Sequence, residues 1–295
     1  MGSREIIATS HLSIKDRYWP LIKSRQTFLL ALTGAAGYLS GKPFPLDWPR
    51  GAIMLGSFLL TIGGCTSLNM VADRDIDFKM ERTRGRPLPS GEVHPGAAAG
   101  LGLALIALGL LGAWALSRLF LTLALAGIVL DLGVYTLWLK RRSAWSILWG
   151  GLAGGIPILA GRSLATGGID TTGLLLGLAI VCWIPSHNLT LEMLHAEDFR
   201  EAGVPTFPNV YGLKATRAVV VLSSLITLGL MAAAFLRLEP SLFVEASLAV
   251  SGVGLAGLVI HPRGWASPQA ILVLYKYSSI FMLAAMLLLA WTAFG

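Results

Sequence analysis

An all-α integral membrane protein with nine transmembrane helices is what this sequence predicts, and three observations carry the prediction. Apolar residues make up 55% of the 295-residue chain and charged residues 13%, with a mean hydropathy of +0.69, more apolar surface than one soluble core would use. Apolar runs long enough to cross about 30 Å of hydrocarbon recur along the whole chain. The basic residues gather on alternate connections between those runs, as in a chain threaded through a bilayer.

In chain order, the first span is expected at 24–41, after a stretch bearing Arg4, Lys15, Arg17, Lys23 and Arg25. No apolar run of signal-peptide length precedes it, so the mature chain is expected to begin near Met1. Span two, 51–72, holds Asn69 within its apolar run and ends in a basic loop. Spans three and four, 95–116 and 119–138, lead to Lys140, Arg141 and Arg142. Span five, 146–165, contains the small-residue run Gly150 to Gly155, read as a close helix-packing surface. Span six, 172–194, carries a second polar cluster, and spans seven to nine follow at 217–236, 241–260 and 270–293. Trp19, Trp48, Trp138, Trp145 and Trp265 fall near span ends, where an amphipathic indole suits the headgroup region.

With the amino terminus on side one, that side gathers 17 of the 23 basic residues and side two only five, Lys276 lying inside span nine. Side one is therefore read as cytoplasmic, which puts the chain in the cytoplasmic membrane with its carboxyl terminus outside. The net charge of +7 marks topology and attraction to anionic lipids or substrates; its distribution argues against nucleic acid. Cys65 and Cys182 sit in apolar stretches, with neither a disulfide framework nor metal-ligand spacing. No linker separates a soluble part, so residues 1–295 are read as one membrane domain.

The chemistry concentrates in two places. Asn69, Asp73 and Asp77 are spaced four apart and would form one helical stripe running from span two into a loop bearing Lys79, Arg82, Arg84 and Arg86. Carboxylates are hard ligands for Mg²⁺, which is commonly held by one or two of them together with substrate phosphate, and the cations can neutralise the anion. Asp75 would point to the opposite side, as a salt-bridge partner. Arg86 to Pro89 is expected to end the helical part of the loop. Half a chain later, His187, Asn188 and Glu192 lie in span six, costly in lipid unless they line a cavity. Asn188, Glu192 and His195 can share a face, and Glu197, Asp198 and Glu201 continue beyond. Both clusters follow an even-numbered span, which suggests two halves facing one cavity.

The first stretch resembles the N-x-x-x-D-x-x-x-D signature of the UbiA-type intramembrane prenyltransferases, and the likeness extends over nearly the whole chain. Within that family the chain is most similar to the haem O synthase branch. The similar pieces are D-R-D-I-D-F-K-M-E-R-T-R-G-R-P-L, the run Tyr135 to Arg142, the Pro185 to His187 turn, and Glu197 to Pro205. The resemblance implies nine helices around a central cavity and Mg²⁺-dependent transfer of an isoprenyl group from its diphosphate to an apolar acceptor. From the residue types, Asp73 and Asp77, helped by Asn69, would hold one Mg²⁺ and Asp198 with a nearby carboxylate a second, Tyr135 could donate a hydrogen bond, and Lys140, Arg82 and Arg141 are the basic candidates for the diphosphate. The resemblance also implies an acceptor pocket around His187, Asn188 and Glu192.

Two departures stand out. The position four before Asp198 is Leu194, so only half of a second D-x-x-x-D pair is present, with Glu192, Glu197 or Glu201 as the candidate replacement. A lone Asp at that place also occurs in haem O synthase-like sequences. The family-like P-P-H-F is P-S-H-N here, which leaves haem B, a quinone precursor, an aromatic acid and a lipid alcohol open as acceptors. A secondary transporter is the rival class. Both clusters near one rim disfavour it, and Asp131 and Lys276 are the residues that would favour it.

Overall fold

The computed structural model describes residues 14–42 and 45–294, so the expectation about Met1 lies outside the described residues. The long helices are α1 (Ser24–Ser40), α2 (Trp48–Ala72), α3 (Pro95–Leu116), α4 (Arg118–Ile128), α5 (Ser146–Thr166), α6 (Thr171–Leu194), α7 (Phe207–Leu236), α8 (Leu242–Ile260) and α9 (Pro268–Trp291). Side chains set several of the starts. Asp47, Asp170 and Ser267 each accept a backbone N–H from the first turn of α2, α6 and α9.

Among the described residues eight helices are long and apolar enough to cross a membrane, α4 counting together with the segment that continues it. The ninth expected span corresponds to α1, whose 17 residues lie at the lower end of what spans a bilayer. Three other expectations need correction. Span four is half α-helix and half π-helix, the latter covering Val129–Leu139. Span seven begins ten residues early, because α7 runs through a kink at Gly212, where φ of 79° is open to glycine and strained for other residues. The helical part of the loop after α2 ends at Lys79 and not at the prolines, and a series of turns follows.

Close approach between helices rests on small residues. A Cβ on Gly161 of α5 would collide with the Gly34 carbonyl of α1, and one on Gly64 of α2 would meet the Gly102 carbonyl of α3 at 2.5 Å. Within the expected small-residue run, a Cβ on Gly155 would meet the Gly177 carbonyl of α6 at 2.8 Å, which is the packing role read from the sequence. α1 packs against α2, α5 and α9, so the first and last long helices meet. Bulky side chains such as Trp114, Leu137, Val250 and Ile280 are exposed on outward faces, as lipid contact requires.

At one end of the bundle the two polar loops form a cap. The short helices Arg74–Lys79 and Ala196–Glu201 are joined through an apolar cluster in which Ile76 and Met80 pack with Ala202, Val204 and Phe199. That cluster brings the two halves' acidic segments to one rim.

Candidate functional site

The Asn69–Asp73–Asp77 ladder survives a break in the helix that carries it. α2 ends at Ala72 and a new helix starts at Arg74, yet Asp73 N–H donates to Asn69 O at 2.9 Å and Asp77 N–H to Asp73 O at 2.8 Å, so the i to i−4 spacing continues. Asp73 and Asp77 are both buried. Lys140 Nζ donates to Asp73 Oδ2 at 2.5 Å, and Arg86 donates to Asp77 Oδ2 at 2.8 Å. Asp73 Oδ1 is buried with no hydrogen-bond partner among the described residues, a costly state for a carboxylate oxygen unless something else satisfies it.

Asp75 has the opposite surroundings. It is exposed and forms two hydrogen bonds with Arg141, at 2.6 and 2.7 Å, which hold its carboxyl down at a pKa of about 2. Arg141 also donates to Ala72 O at the end of α2. The guanidinium expected among the diphosphate contacts therefore lies on the outer side of the ladder.

Lys140 stands 5.8 Å from the Tyr135 ring centre, within cation–π range, and the same ring lies over Gly150. Asn69 donates to Asp131 Oδ2 at 2.9 Å and its Oδ1 lies 2.8 Å from the Thr136 hydroxyl. The ladder thus has one face on the π-helical segment.

The second cluster is split by a break that the sequence hid. α6 ends at Leu194, as expected for span six, His195 is its cap, and Asp198 belongs to a separate short helix, so the face of Asn188 and Glu192 does not continue unbroken to Asp198. Asp198 and His195 line an opening of about 350 Å³ with Leu194, Glu197, Glu81 and Arg82. Arg82 comes from the first loop and feels both Asp77 and Asp198; its pKa is lowered by burial and by Arg86. His195 is likewise lowered, by burial and then by Arg82. Glu197 turns outward to Arg200 at 2.5 Å, and Glu201 is exposed. Glu192 accepts the Phe207 N–H at 3.3 Å, and Asn188 is half-buried with no hydrogen bond among the described residues. His187 is sandwiched between Trp183 and Tyr275, at ring separations of 4.7 and 4.5 Å, with Nδ1 3.2 Å from the Ser279 hydroxyl.

Lys23 is a cation that the sequence reading counted only toward topology. It precedes α1 in a left-handed backbone conformation, with φ of 40°. Burial lowers its pKa to about 8, helped by Lys140 and Arg86 and opposed by Asp73 and Asp77. Its position next to a span end gave no signal distinguishing it from an ordinary membrane-flanking lysine.

The donor set is one of hard oxygens ringed by cations. No group of three His, Cys, Asp or Glu side chains forms a self-sufficient metal site among the described residues. Two carboxylates with one unpartnered oxygen instead fit an ion such as Mg²⁺ that takes its remaining ligands from water and a phosphorylated substrate.

The chain is 40% identical over 237 residues to a protoheme IX farnesyltransferase of Thermofilum pendens, an alignment covering 80% of this chain and 82% of the relative. Among solved structures it resembles one of a digeranylgeranylglyceryl phosphate synthase, with TM-score 0.78, 18% identity and coverage of 94% of this chain and 97% of the other. It also resembles a UbiA homolog from Archaeoglobus fulgidus bound to DMAPP and Mg²⁺, with TM-score 0.67, 18% identity and coverage of 92% and 99%. Residues 28–280 match the UbiA prenyltransferase family, and with a relative 40% identical over 80% of the chain, the chain belongs to that family.

Proposed function

We propose that this chain is a Mg²⁺-dependent prenyltransferase of the cytoplasmic membrane that moves an isoprenyl group from a prenyl diphosphate to haem B, making a haem O-type product. The observation that carries the reading is Asp73 Oδ1, a buried carboxylate oxygen without a hydrogen-bond partner among the described residues, on a side chain whose other oxygen is held by Lys140 and whose charge is felt by Lys23, next to the Arg86–Asp77 pair. Bound Mg²⁺ would supply Lewis-acid stabilisation of the leaving diphosphate. Asp73 and Asp77 would hold one ion, with Asn69 contributing its carboxamide oxygen, and Asp198 would hold a second.

The chain's own residues do the rest. Lys140, Lys23, Arg82 and Arg86 place fixed positive charge where negative charge grows as the allylic C–O bond breaks and its electron pair leaves with the diphosphate. Lys140 is kept in place by Asp73 and the Tyr135 ring. For haem, a vinyl group forms the new C–C bond to the allylic carbon, and water then adds as hydroxyl with loss of a proton. The stacked rings of Trp183, His187 and Tyr275, with the unbonded Asn188 amide one residue on, offer flat and polar surface suited to a large planar acceptor. Support for haem comes from the curated relative in Thermofilum pendens; the departure at Ser186 and Asn188 keeps a quinone precursor, an aromatic acid or a lipid alcohol in the test.

Purified protein is incubated with Mg²⁺, radiolabelled prenyl diphosphates of several lengths, and a panel of haem B, quinone precursors, aromatic acids and lipid alcohols. Label transfer to haem B that chelation abolishes is expected. Transfer to another acceptor alone would replace haem in the proposal, and full activity after chelation would remove the metal from it.

A further inference from the structure

The carboxylate of Asp131 lies within the membrane span Arg118–Leu139, where an ionisable group is costly unless it serves something. Asn69 is the side chain that donates to it: Nδ2 reaches Asp131 Oδ2 at 2.9 Å, and no cation forms an ion pair with Asp131 among the described residues. The other end of the Asn69 amide is also held, since its Oδ1 lies 2.8 Å from Thr136 Oγ1. The same hydroxyl lies 2.8 Å from the Asp131 carbonyl, so one proton is shared between two acceptors.

This arrangement needs Asp131 and Thr136, five residues apart, on one face. An α-helix stacks i on i+3 and i+4; the i to i−5 register of a π-helix brings i and i+5 together. The segment Val129–Leu139 is π-helical, and Lys140 N–H donates to Tyr135 O at 2.8 Å in the same register. The π register therefore does two things at once. It puts an acceptor and a donor opposite the two ends of one carboxamide, and it delivers Lys140 to Asp73, one turn further along the ladder.

We propose that Asp131 and Thr136 are positioning residues that clamp the Asn69 carboxamide and thereby fix the Asn69–Asp73–Asp77 face toward the diphosphate and its metal. The clamp decides which atom Asn69 can offer. Its NH₂ is turned to Asp131, so the remaining lone pair of Oδ1 is what it presents to a cation. The clamp also joins α2 to the segment bearing Tyr135 and Lys140, so the carboxylates and the cation that faces them move together. This inference rests on the prenyl diphosphate reading above.

The test uses full-length protein purified in detergent, with monodispersity and thermal unfolding recorded for each variant. Binding of farnesyl diphosphate with Mg²⁺ is measured by calorimetry without acceptor, alongside kcat and KM. Asp131→Asn keeps an oxygen acceptor opposite Asn69, and binding and kcat are expected to stay within about threefold of wild type. Asp131→Leu and Thr136→Val are expected to weaken Mg²⁺-dependent binding by about tenfold or more, because the carboxamide loses its carboxyl or hydroxyl hydrogen-bond partner. Asn69→Asp, which sets two carboxylates face to face, is expected to be severely impaired, and adding Asp131→Asn should recover at least about tenfold of that loss by restoring a carboxylate–amide pair in reverse. A monodisperse double variant with no recovery, or wild-type binding in Asp131→Leu, overturns the clamp. Should Asp131→Leu not fold, the exchange pair and Thr136→Val decide. If wild-type protein itself does not bind farnesyl diphosphate with Mg²⁺, the functional reading fails, and that outcome is separate from any behaviour of the variants.

Discussion

Asp73 and Asp75 are two residues apart and share a side-chain type, but their surroundings assign them opposite uses. Asp73 is buried with one oxygen unpartnered, whereas Asp75 is exposed and bonded twice to Arg141. Asp73→Asn and Asp77→Asn are expected to cut kcat by roughly two to three orders of magnitude, the scale seen when one preorganised group facing developing charge is removed. Asp75→Asn breaks an exposed ion pair worth about 0.2–1 kcal/mol and should change kcat by no more than about threefold. Equal losses at all three positions in a steady-state assay would show that the ladder has no functional face. Lys23 gives a pH-dependent prediction. Its pKa of about 8 means that part of the population is neutral just above that pH, while a bound diphosphate favours the charged form. Donor affinity should therefore be greatest below pH 8 and fall as pH rises past it. Lys23→Arg, charged throughout, should remove that fall, and Lys23→Ala should weaken binding by about 1.5–3 kcal/mol at neutral pH. Calorimetric titrations of wild type and both variants between neutral and alkaline pH read this out; identical pH curves for wild type and Lys23→Arg would remove Lys23 from the diphosphate site. On stability the sign is opposite: between about 8 and the ordinary lysine value the unfolded chain binds the extra proton, so the Lys23 contribution improves as pH rises through that range.

Helix contacts are where substitution should act on stability without touching the chemistry. Gly161 places α5 against the Gly34 carbonyl of α1, and a Cβ there has backbone in its way. Gly161→Ala is expected to cost about 1–3 kcal/mol or more as an overpacked contact, lowering the thermal unfolding midpoint in detergent. Gly257 on α8 has open space around it, so Gly257→Ala should leave the midpoint unchanged or raise it slightly, as exchanging glycine for alanine in a helix does. A destabilised Gly257→Ala beside an unaffected Gly161→Ala would contradict the observed α1–α5 crossing. Elements of this kind were unequally legible. The apolar runs fixed the existence and order of the spans because burying apolar length in lipid is a one-dimensional property of sequence. The π register of Val129–Leu139 was hidden, because it depends on Asp131 and Thr136 meeting Asn69 from another helix, 62 and 67 positions away. The break at His195 was hidden for a related reason: the cap formed by the two loops turns the chain there, through the contact of Phe199, Ala202 and Val204 with Ile76 and Met80. The Asn69–Asp73–Asp77 spacing was readable since it is local. Lys23 was not, because nothing in its neighbourhood along the chain places it beside Arg86 and Lys140.

At the scale of the whole molecule, the bundle puts every group assigned to the diphosphate at one end. Lys140 meets Asp73, Arg86 meets Asp77, and Arg82 stands between Asp77 and Asp198 at that end. The opposite end holds a different device: Arg162 near the end of α5 is bonded to Asp170 ahead of α6 and to Ser40 at the end of α1, a clasp that lowers the Asp170 pKa chiefly through the Arg162 hydrogen bond. The separation matches the parity of the spans, since the ends of α1 and α5 and the start of α6 fall together while the ends of α2 and α6 and the start of α7 fall at the other rim. In the sequence the basic residues divide 17 to five between the two sides of the predicted topology, and we propose that retention of the basic loops on the cytoplasmic side orients the bundle with the diphosphate rim facing the cytoplasm. Two glycines let that be measured with little disturbance, because a Cβ at Gly85 or Gly168 meets nothing within 4 Å. Gly85 belongs to the basic loop after α2, and Gly168 lies between α5 and α6 beside the clasp. Of the native thiols, Cys65 is buried and Cys182 is half-buried within a span, so each can be replaced by serine or alanine to give a silent background. In intact cells a membrane-impermeant maleimide should label Gly168→Cys and leave Gly85→Cys unlabelled until the membrane is permeabilised. The reverse pattern would place the acidic loops outside the cell, away from cytoplasmic Mg²⁺ and prenyl diphosphate, and would overturn both the orientation and the route by which the donor reaches Asp73.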